Sequence, residues 1–431
     1  QRTLTLVNGR RFVSSNTSSI FGPTDAGSQV DLNTIPTQLV QRIETIAVGG
    51  APIYGSDAIA GTINIILKRD YQGIDLDAQY GISSRGDARD YRIRGLVGQN
   101  FADGRGNITV SAEYNRSAGL LYNDRKLTRQ GRFFTTPADP DSPFGQTLIF
   151  DRTLPSISPF GIPMVSDFIP LTDAQAADFG GYQPAVTNGQ GQPLRFDANG
   201  NLIPIDFGTA SGNLINFEGG NGFRLADVST LLSPVERYLG TALAQYEISD
   251  GIRLFSEAWF ARTKGTEITD QPVYNSALFG AGGDPDGNMI IPLSNPFLSP
   301  AARSIIQQSI ATSGSSDDPA QDYFYLGRAN TDLVSGRGSS TTTLYRFVLG
   351  VDGDFQLGSN ALHWEVVGNY GRSKSKGNSR ELVQQNFENA LNAVVDANGN
   401  IVCAPGAVNS PIATLSSTCS PINPFGQQIS Q

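Results

Sequence analysis

The chain has 431 residues, 39% hydrophobic and 16% charged, with 48 Gly, 24 Pro and a formal net charge of −9. That acidic balance excludes a nucleic-acid surface, which draws on clustered Lys and Arg, and no run approaches the roughly 18 apolar residues of a spanning helix. Spanning strands stay admissible, because side chains that alternate between lipid and lumen keep the average low, here a mean hydropathy of −0.20.

Taken in order, Thr3 to Val7 alternates and leads into Asn8-Gly9, a hairpin-turn signal. The Ser/Thr/Gly-rich stretch from Val13 to Ser28 reads as an exposed loop. Val30, Leu32 and Ile35 before Pro36 predict a strand running into a short helix around Thr37 to Gln41. A strand over Arg42 to Val48, a turn at Gly49-Gly50, one helical turn over Ser56 to Ala60 and a strand over Thr62 to Lys68 complete a small mixed α/β unit.

After Lys68 the pattern changes to period-two alternation. Ile74, Leu76, Ala78, Tyr80 and Ile82 oppose Asp75, Asp77, Gln79 and Gly81, and similar runs follow at Tyr91 to Phe101 and Ile108 to Tyr114. Four more lie at Val235 to Ile248, Ile252 to Thr263, Thr342 to Phe355 and Leu362 to Arg372. Each is near the 9 to 11 residues, roughly, that cross a bilayer at a tilt. The runs around Tyr238 and Leu254 alternate less cleanly, and their faces are left unassigned.

Connector lengths alternate as well. Ala102 to Asn107, Ser249 to Gly251 and Gln356 to Ala361 are short, whereas residues 119–234, 264–341 and 374–431 form long connectors on the other side. Short periplasmic turns alternating with long external loops are the habit of bacterial outer-membrane barrels. Turn signals inside the loops, at Asp197 to Asn201, Asp286 to Asn288 and Asp396 to Asn400, predict projecting hairpins. Their spacing is similar to a calcium loop, but the later ligands of such a loop are missing, so plain turns and no metal are expected. Cys403 and Cys419 lie in a Ser/Pro-rich stretch without nearby His; a disulfide is expected, with two free thiols as the alternative.

At this point a family resemblance carries further. Leu6-Val7-Asn8-Gly9-Arg10-Arg11, Asp31-Leu32-Asn33-Thr34-Ile35-Pro36, Arg42-Ile43-Glu44 and Tyr54-Gly55-Ser56-Asp57-Ala58-Ile59-Ala60-Gly61-Thr62-Ile63-Asn64-Ile65 resemble the end of the plug of TonB-dependent outer-membrane receptors. The match is dense over residues 3 to 68; Pro52 and Gly49-Gly50 depart from the usual pattern, as does Asn8, where the family usually writes Asp-Gly. The resemblance implies a transmembrane antiparallel β-barrel of about 22 strands around a plug, with seven strands present here. Residues 1–70 are then the C-terminal part of the plug and residues 71–431 the first part of the barrel. Both ends read as cuts, since Gln1 opens mid-element and the last segment is polar.

By the same resemblance, the expected activity is import of a scarce solute across the bacterial outer membrane, driven through TonB. Siderophores, cobalamin, oligosaccharides and peptides are all admissible cargo. A surface lipoprotein is an admissible further partner beside TonB and outer-membrane lipid, and no cofactor is expected. The competing readings are a surface receptor or adhesin that captures without import, and a passive porin.

Several residues are candidates for these roles. Asn16, Thr17, Ser18, Ser19, Phe21 and Asp25 fall in an apical plug loop suited to a polar solute, with a solvated linker as the plain alternative. Arg10, Arg11, Arg42 and Glu44 on the plug, with Arg92, Glu113 and Glu365 on polar strand faces, are expected to form plug–barrel ion pairs. Phe160, Tyr182, Phe217 and Phe223 would either stack on a flat ligand or pack loop hairpins. No catalytic residues are expected: the single His363 has no nucleophile at a meaningful spacing, and no P-loop, GxSxG or HExxH occurs.

Overall fold

The computed structural model describes residues 3–14, 30–47, 50–137, 139, 141–154, 157–165, 185–211, 217–268, 273–274, 289–312, 321–333, 337–378, 384–404 and 419–426. The chain divides into two units. The first comprises Gln1–Leu120, Leu232–Glu267 and Ser339–Asn378, the second Leu121–Leu231, Ile268–Gly338 and Ser379–Gln431.

The first unit opens with a mixed sheet of β1 (Thr3–Val7), β2 (Arg10–Arg11), β3 (Val40–Ile46) and β4 (Gly61–Leu67), in the order β2-β1-β4-β3. β1 lies parallel to β4, and the other two pairs are antiparallel. Asn8 and Gly9 link β1 to β2 at φ of 51° and 77°, the left-handed conformation that a two-residue hairpin of this hand requires.

One expectation fails in this region. Val30 to Pro36 forms no strand; Leu32–Thr34 is a 3-10 turn, with the Asn33 N–H donating to the Asp31 carboxylate at 3.0 Å. A short acidic side chain that bonds its own backbone competes with ladder pairing, and here it wins. The helix expected at Thr37 to Gln41 contracts to a 3-10 turn, Thr37–Leu39, and β3 starts at once from Val40.

Seven long strands follow: β5 (Gly73–Gly81), β6 (Asp90–Phe101), β7 (Gly106–Ser117), β8 (Val235–Ser249), β9 (Ile252–Ile268), β10 (Arg337–Leu357) and β11 (Asn360–Asn378). Each lies beside its neighbours in sequence, in one sheet. All seven alternating runs are therefore strands, and most extend past the apolar run. The turns shrink to match: Phe101 faces Gly106, Ser249 faces Ile252, and Leu357 faces Asn360. Pairing is a backbone property and continues where polar side chains end the visible alternation.

The two faces of this sheet differ. One bears exposed Ile74, Leu76, Ile93, Val97, Ile108, Val110, Phe347, Leu349, Val366 and Tyr370. It is banded by aromatic pairs: Tyr80–Tyr91, Tyr114–Tyr238 and Phe260–Tyr345 near the long connectors, and Phe101–Tyr246 near the tight turns. Along β6, Tyr91 and Phe101 stand ten residues apart; at about 3.3 Å per residue and a tilt near 40° they are roughly 25 Å apart along the membrane normal, the height of an outer-membrane apolar band.

The other face carries the small mixed sheet. Val7, Phe12, Ile35, Leu39, Ile65 and Leu67 share one buried cluster with Leu96, Leu239, Leu243, Trp259, Ala261 and Leu344 of the long strands. This settles the faces that alternation left open on β8 and β9. Leu239, Leu243, Trp259 and Ala261 point inward to the plug-like module, while Tyr238, Gly240, Ala242, Ala244, Tyr246, Leu254, Ser256, Ala258 and Phe260 fall in the outward register.

In the second unit the three long connectors contribute to one apolar core. Phe196, Ile291, Ile306, Phe324, Leu326, Leu391 and Phe425 meet there, beside the helix Pro300–Thr312. Asp197 to Asn201 joins Leu194–Phe196 to Leu202–Pro204, and Asp396 to Asn400 joins Ala393–Val395 to Ile401–Cys403. The turn expected at Asp286 to Asn288 lies outside the described residues. Cys403 and Cys419 form a disulfide. Phe217 and Phe223 are buried and Phe160 packs on the core, so these three support the loops' own packing; Tyr182 lies outside the described residues.

Candidate functional site

The hairpin at Asn8-Gly9 meets the long strands at Glu257. Asn8 sits where β1 ends, so its side chain reaches in two directions. Its Oδ1 accepts the Leu67 N–H at 3.0 Å within the small sheet, and its Nδ2 donates to Glu257 Oε1 on β9 at 2.8 Å. The other carboxylate oxygen accepts Arg346 Nη1 at 2.7 Å and Trp259 Nε1 at 3.2 Å. Glu257 is only 5% exposed and Arg346 not at all. A carboxylate so buried is stable only with its acceptor capacity used, and removing one partner of such a pair costs about 3–5 kcal/mol.

Aromatic faces line the same charges. Arg346 lies 5.2 Å from the Phe12 ring, and Phe12 meets Trp259 edge to face at 5.2 Å. Arg10 lies 4.6 Å over Phe255, 3.7 Å from Glu257 and in a close ion pair with Glu365 on β11. A second pair, Arg253 Nη2 to Asp352 at 2.6 Å, links β9 to β10 nearby.

Of the residues singled out in the sequence as plug-to-wall contacts, the structure brings Arg10 and Glu365 together. The others are placed differently. Arg11 pairs with Asp57 at 2.6 Å, inside the small module. Arg42 and Glu44 pair with each other at 2.9 Å, and Asn64 donates to Glu44, because alternate residues on β3 share one face. Arg92 donates to Gln79 at 2.7 Å, between adjacent long strands. Glu113 stands opposite Arg94 in register. Arg94 itself reaches across, with Nη1 on Thr37 Oγ1 at 2.7 Å and Nε on Asp77 at 2.8 Å. Asn16, Thr17, Ser18, Ser19, Phe21 and Asp25 lie outside the described residues.

Glu257, Arg346 and Asn8 were not among the expected contacts. Their signal was present: Glu257 stands between Phe255 and Trp259, and Arg346 between Leu344 and Val348, all on one strand face. A charge whose same-face neighbours are large and apolar must be buried and therefore paired.

Two recesses flank the module. Toward the long-connector end, Asp31, Thr34, Thr263, Ser340 and Thr342 line one of about 390 Å³. Beside the link to β5, Arg42, Asn64, Lys68, Arg69 and Asp70 line one of about 630 Å³. Among the described residues no three His, Cys, Asp or Glu converge as metal ligands, and no helix is long and apolar enough to cross a membrane.

Residues 1–62 match the TonB-dependent Receptor Plug Domain. Among solved structures, the siderophore receptor PiuA from Acinetobacter baumannii aligns at 13% identity and a TM-score of 0.30, over 94% of this chain and 41% of its own. The outer membrane transporter YddB from Escherichia coli aligns at 10% identity and a TM-score of 0.29, over 93% of this chain and 43% of its own. The pyoverdine receptor FpvA from Pseudomonas aeruginosa aligns at 12% identity and a TM-score of 0.25, over 80% of this chain and 37% of its own. The chain spans less than half the length of each of these proteins.

Proposed function

We propose that this chain, identified through its plug as a TonB-dependent receptor of the bacterial outer membrane, imports a scarce solute at the expense of energy delivered through TonB. The observation that carries the reading is the docking of the Asn8 hairpin on buried Glu257. A passive pore has no use for a module fixed in its lumen by a buried carboxylate, whereas an energy-coupled gate needs a stopper that is held firmly and released by work.

In this reading residues 1–70 belong to the plug and residues 71–431 to the barrel and its loops. β5 and β11 have a partner on one side only among the described residues, and open strand edges are not tolerated in lipid. The seven strands therefore form part of a closed wall of about 22 strands, the size that encloses a plug. The cargo meets the hydroxyl-lined recess at Thr34, Thr263, Ser340 and Thr342, with its single carboxylate Asp31. Siderophores, cobalamin, oligosaccharides and peptides are the solute classes to compare.

The test is uptake by cells carrying or lacking the gene, offered labelled members of those four classes, with and without collapse of the inner-membrane proton gradient. Gene-dependent uptake that stops with the gradient is expected. Gene-dependent uptake that survives it indicates a passive pore, and surface binding with no uptake at all indicates a capture receptor.

A further inference from the structure

Glu257, Asp352 and Glu365 each hold a cation of their own, respectively Arg346, Arg253 and Arg10. Arg69, half-buried beside them, makes no ion pair or hydrogen bond among the described residues. Its chain neighbour Asp70 is turned to the wall, where Gln245 of β8 donates to it. Arg69 instead shares the Phe255 ring with Arg10, at 5.9 and 4.6 Å. Burial depresses the Arg69 guanidinium first, Arg253 and Arg10 add to that, and Glu257 and Asp352 offset a part.

The place of Arg69 in the chain matters as much as its missing partner. Lys68, before it, is tied to the small module, its N–H donating to the Leu39 carbonyl at 2.8 Å. Asp70 and Tyr71, after it, are tied to the long strands, by Gln245 on Asp70 and by Asn107 Nδ2 of β7, which donates to the Tyr71 carbonyl at 2.9 Å. Arg69 therefore stands at the join between the two sets of anchors, and it stays with the wall when the Asn8 hairpin moves away. Arg69, Asn8, Phe255 and Glu257 line one void of about 20 Å³, room for about one water, so no side chain has to be displaced for Arg69 to approach the carboxylate.

We propose that Arg69 is a reserve counter-ion for Glu257. When the Asn8 hairpin leaves the wall, Glu257 Oε1 loses the Asn8 amide and the nearby Arg10 charge, and a buried carboxylate stripped of partners is strongly unfavourable. Arg69, held to the wall through Asp70 and Tyr71, then turns across the void and donates to that oxygen. The same side chain disfavours the closed state, where it meets Arg10 and Arg253 without an anion of its own, and favours the open one, where it gains Glu257. Both effects lower the work of release. The inference rests on the reading of the module as a plug that is released, and it adds a residue that sets how readily the plug goes.

The experiment uses the full receptor chain in planar bilayers, with conductance recorded at stepped urea concentrations and the open fraction as the readout. Arg69→Gln lowers the open fraction on the order of tenfold at a given urea concentration, the scale of one hydrogen bond to a charged group, so that loss of this arginine tightens the seal. A role confined to local packing would loosen it. Arg69→Lys keeps the charge and stays near the natural protein. In a Glu257→Gln background the Arg69→Gln step has a much smaller effect, because the anion it serves is gone; should that background not fold, the direction of the Arg69→Gln effect and its rescue by Lys decide. An open fraction in Arg69→Gln equal to or above the natural one overturns the proposal. A natural receptor that never opens defeats the release reading itself, whereas one that opens identically with Arg69→Gln defeats only the reserve role.

Discussion

Asn8 and Glu257 are 249 residues apart and share a hydrogen bond of 2.8 Å. The amide orientation is forced by its neighbours. The Leu67 N–H can only donate, so Oδ1 faces it, and the Glu257 carboxylate can only accept, so Nδ2 faces that. An aspartate at position 8 would set two carboxylates against each other in a buried place. Asn8→Asp is therefore expected to loosen the plug by about 1–3 kcal/mol, read as raised small-solute leakage through the receptor in planar bilayers. Adding Glu257→Gln reverses the polarity of the contact: the Gln amide nitrogen donates to Asp, and its oxygen still accepts from Arg346 and Trp259. The double variant is expected to recover most of the seal, and a double variant leakier than either single one would refute the arrangement.

Gly371 lies on β11 against Val13 of the plug segment, and a Cβ built there meets the Val13 side chain in hard overlap. Gly371→Ala forces the plug segment or the strand to shift, at a cost of about 1–3 kcal/mol for overpacking. The expected outcome is faster protease cleavage near Val13 in the folded receptor. Adding Val13→Ala restores the space and should return cleavage to the natural rate.

Arg42 and Glu44 behave differently from the sequence expectation. The Glu44 carboxyl is held below its usual range by the hydrogen bond from Arg42 and then by that from Asn64. A depressed carboxylate contributes stability above its unfolded value and loses it as pH falls through the lowered one. Because the pair is exposed and internal to β3, Arg42→Gln/Glu44→Gln is expected to leave small-solute leakage unchanged at neutral pH, measured by liposome swelling. A leak matching that of Asn8→Asp would place the pair at the wall after all.

The two Asp-Ala-Asn-Gly-Asn turns share one chemistry. The Asp197 carboxyl is lowered first by the Asn201 backbone N–H, and the Asp396 carboxyl first by that of Asn400. The stabilising bonds are complete above the ordinary carboxylate range and fade as pH drops through the depressed values. Amide exchange at Asn201 and Asn400, corrected for intrinsic rate, should accelerate together in that acid window. Asp396→Ala should speed exchange at Asn400 alone, already at neutral pH. Equal protection in the variant would show that the disulfide at Cys403, rather than the carboxylate, holds that turn.

The sequence by itself determined the seven strands, their turns and the outward face of β5, β6, β7, β10 and β11, because side-chain alternation has a period of two and lipid selects one parity. It also determined the plug, through local motifs whose turns need particular residues, such as Asn8-Gly9. Only the tertiary structure decided the faces of β8 and β9. There Leu239, Leu243, Trp259 and Ala261 point inward to the plug core, so both faces are apolar and the alternation loses its meaning. It alone decided that Asn8 and Arg10 meet Glu257 while Arg42 turns back to Glu44, since charge type is written along the chain but the partner within reach is a property of packing.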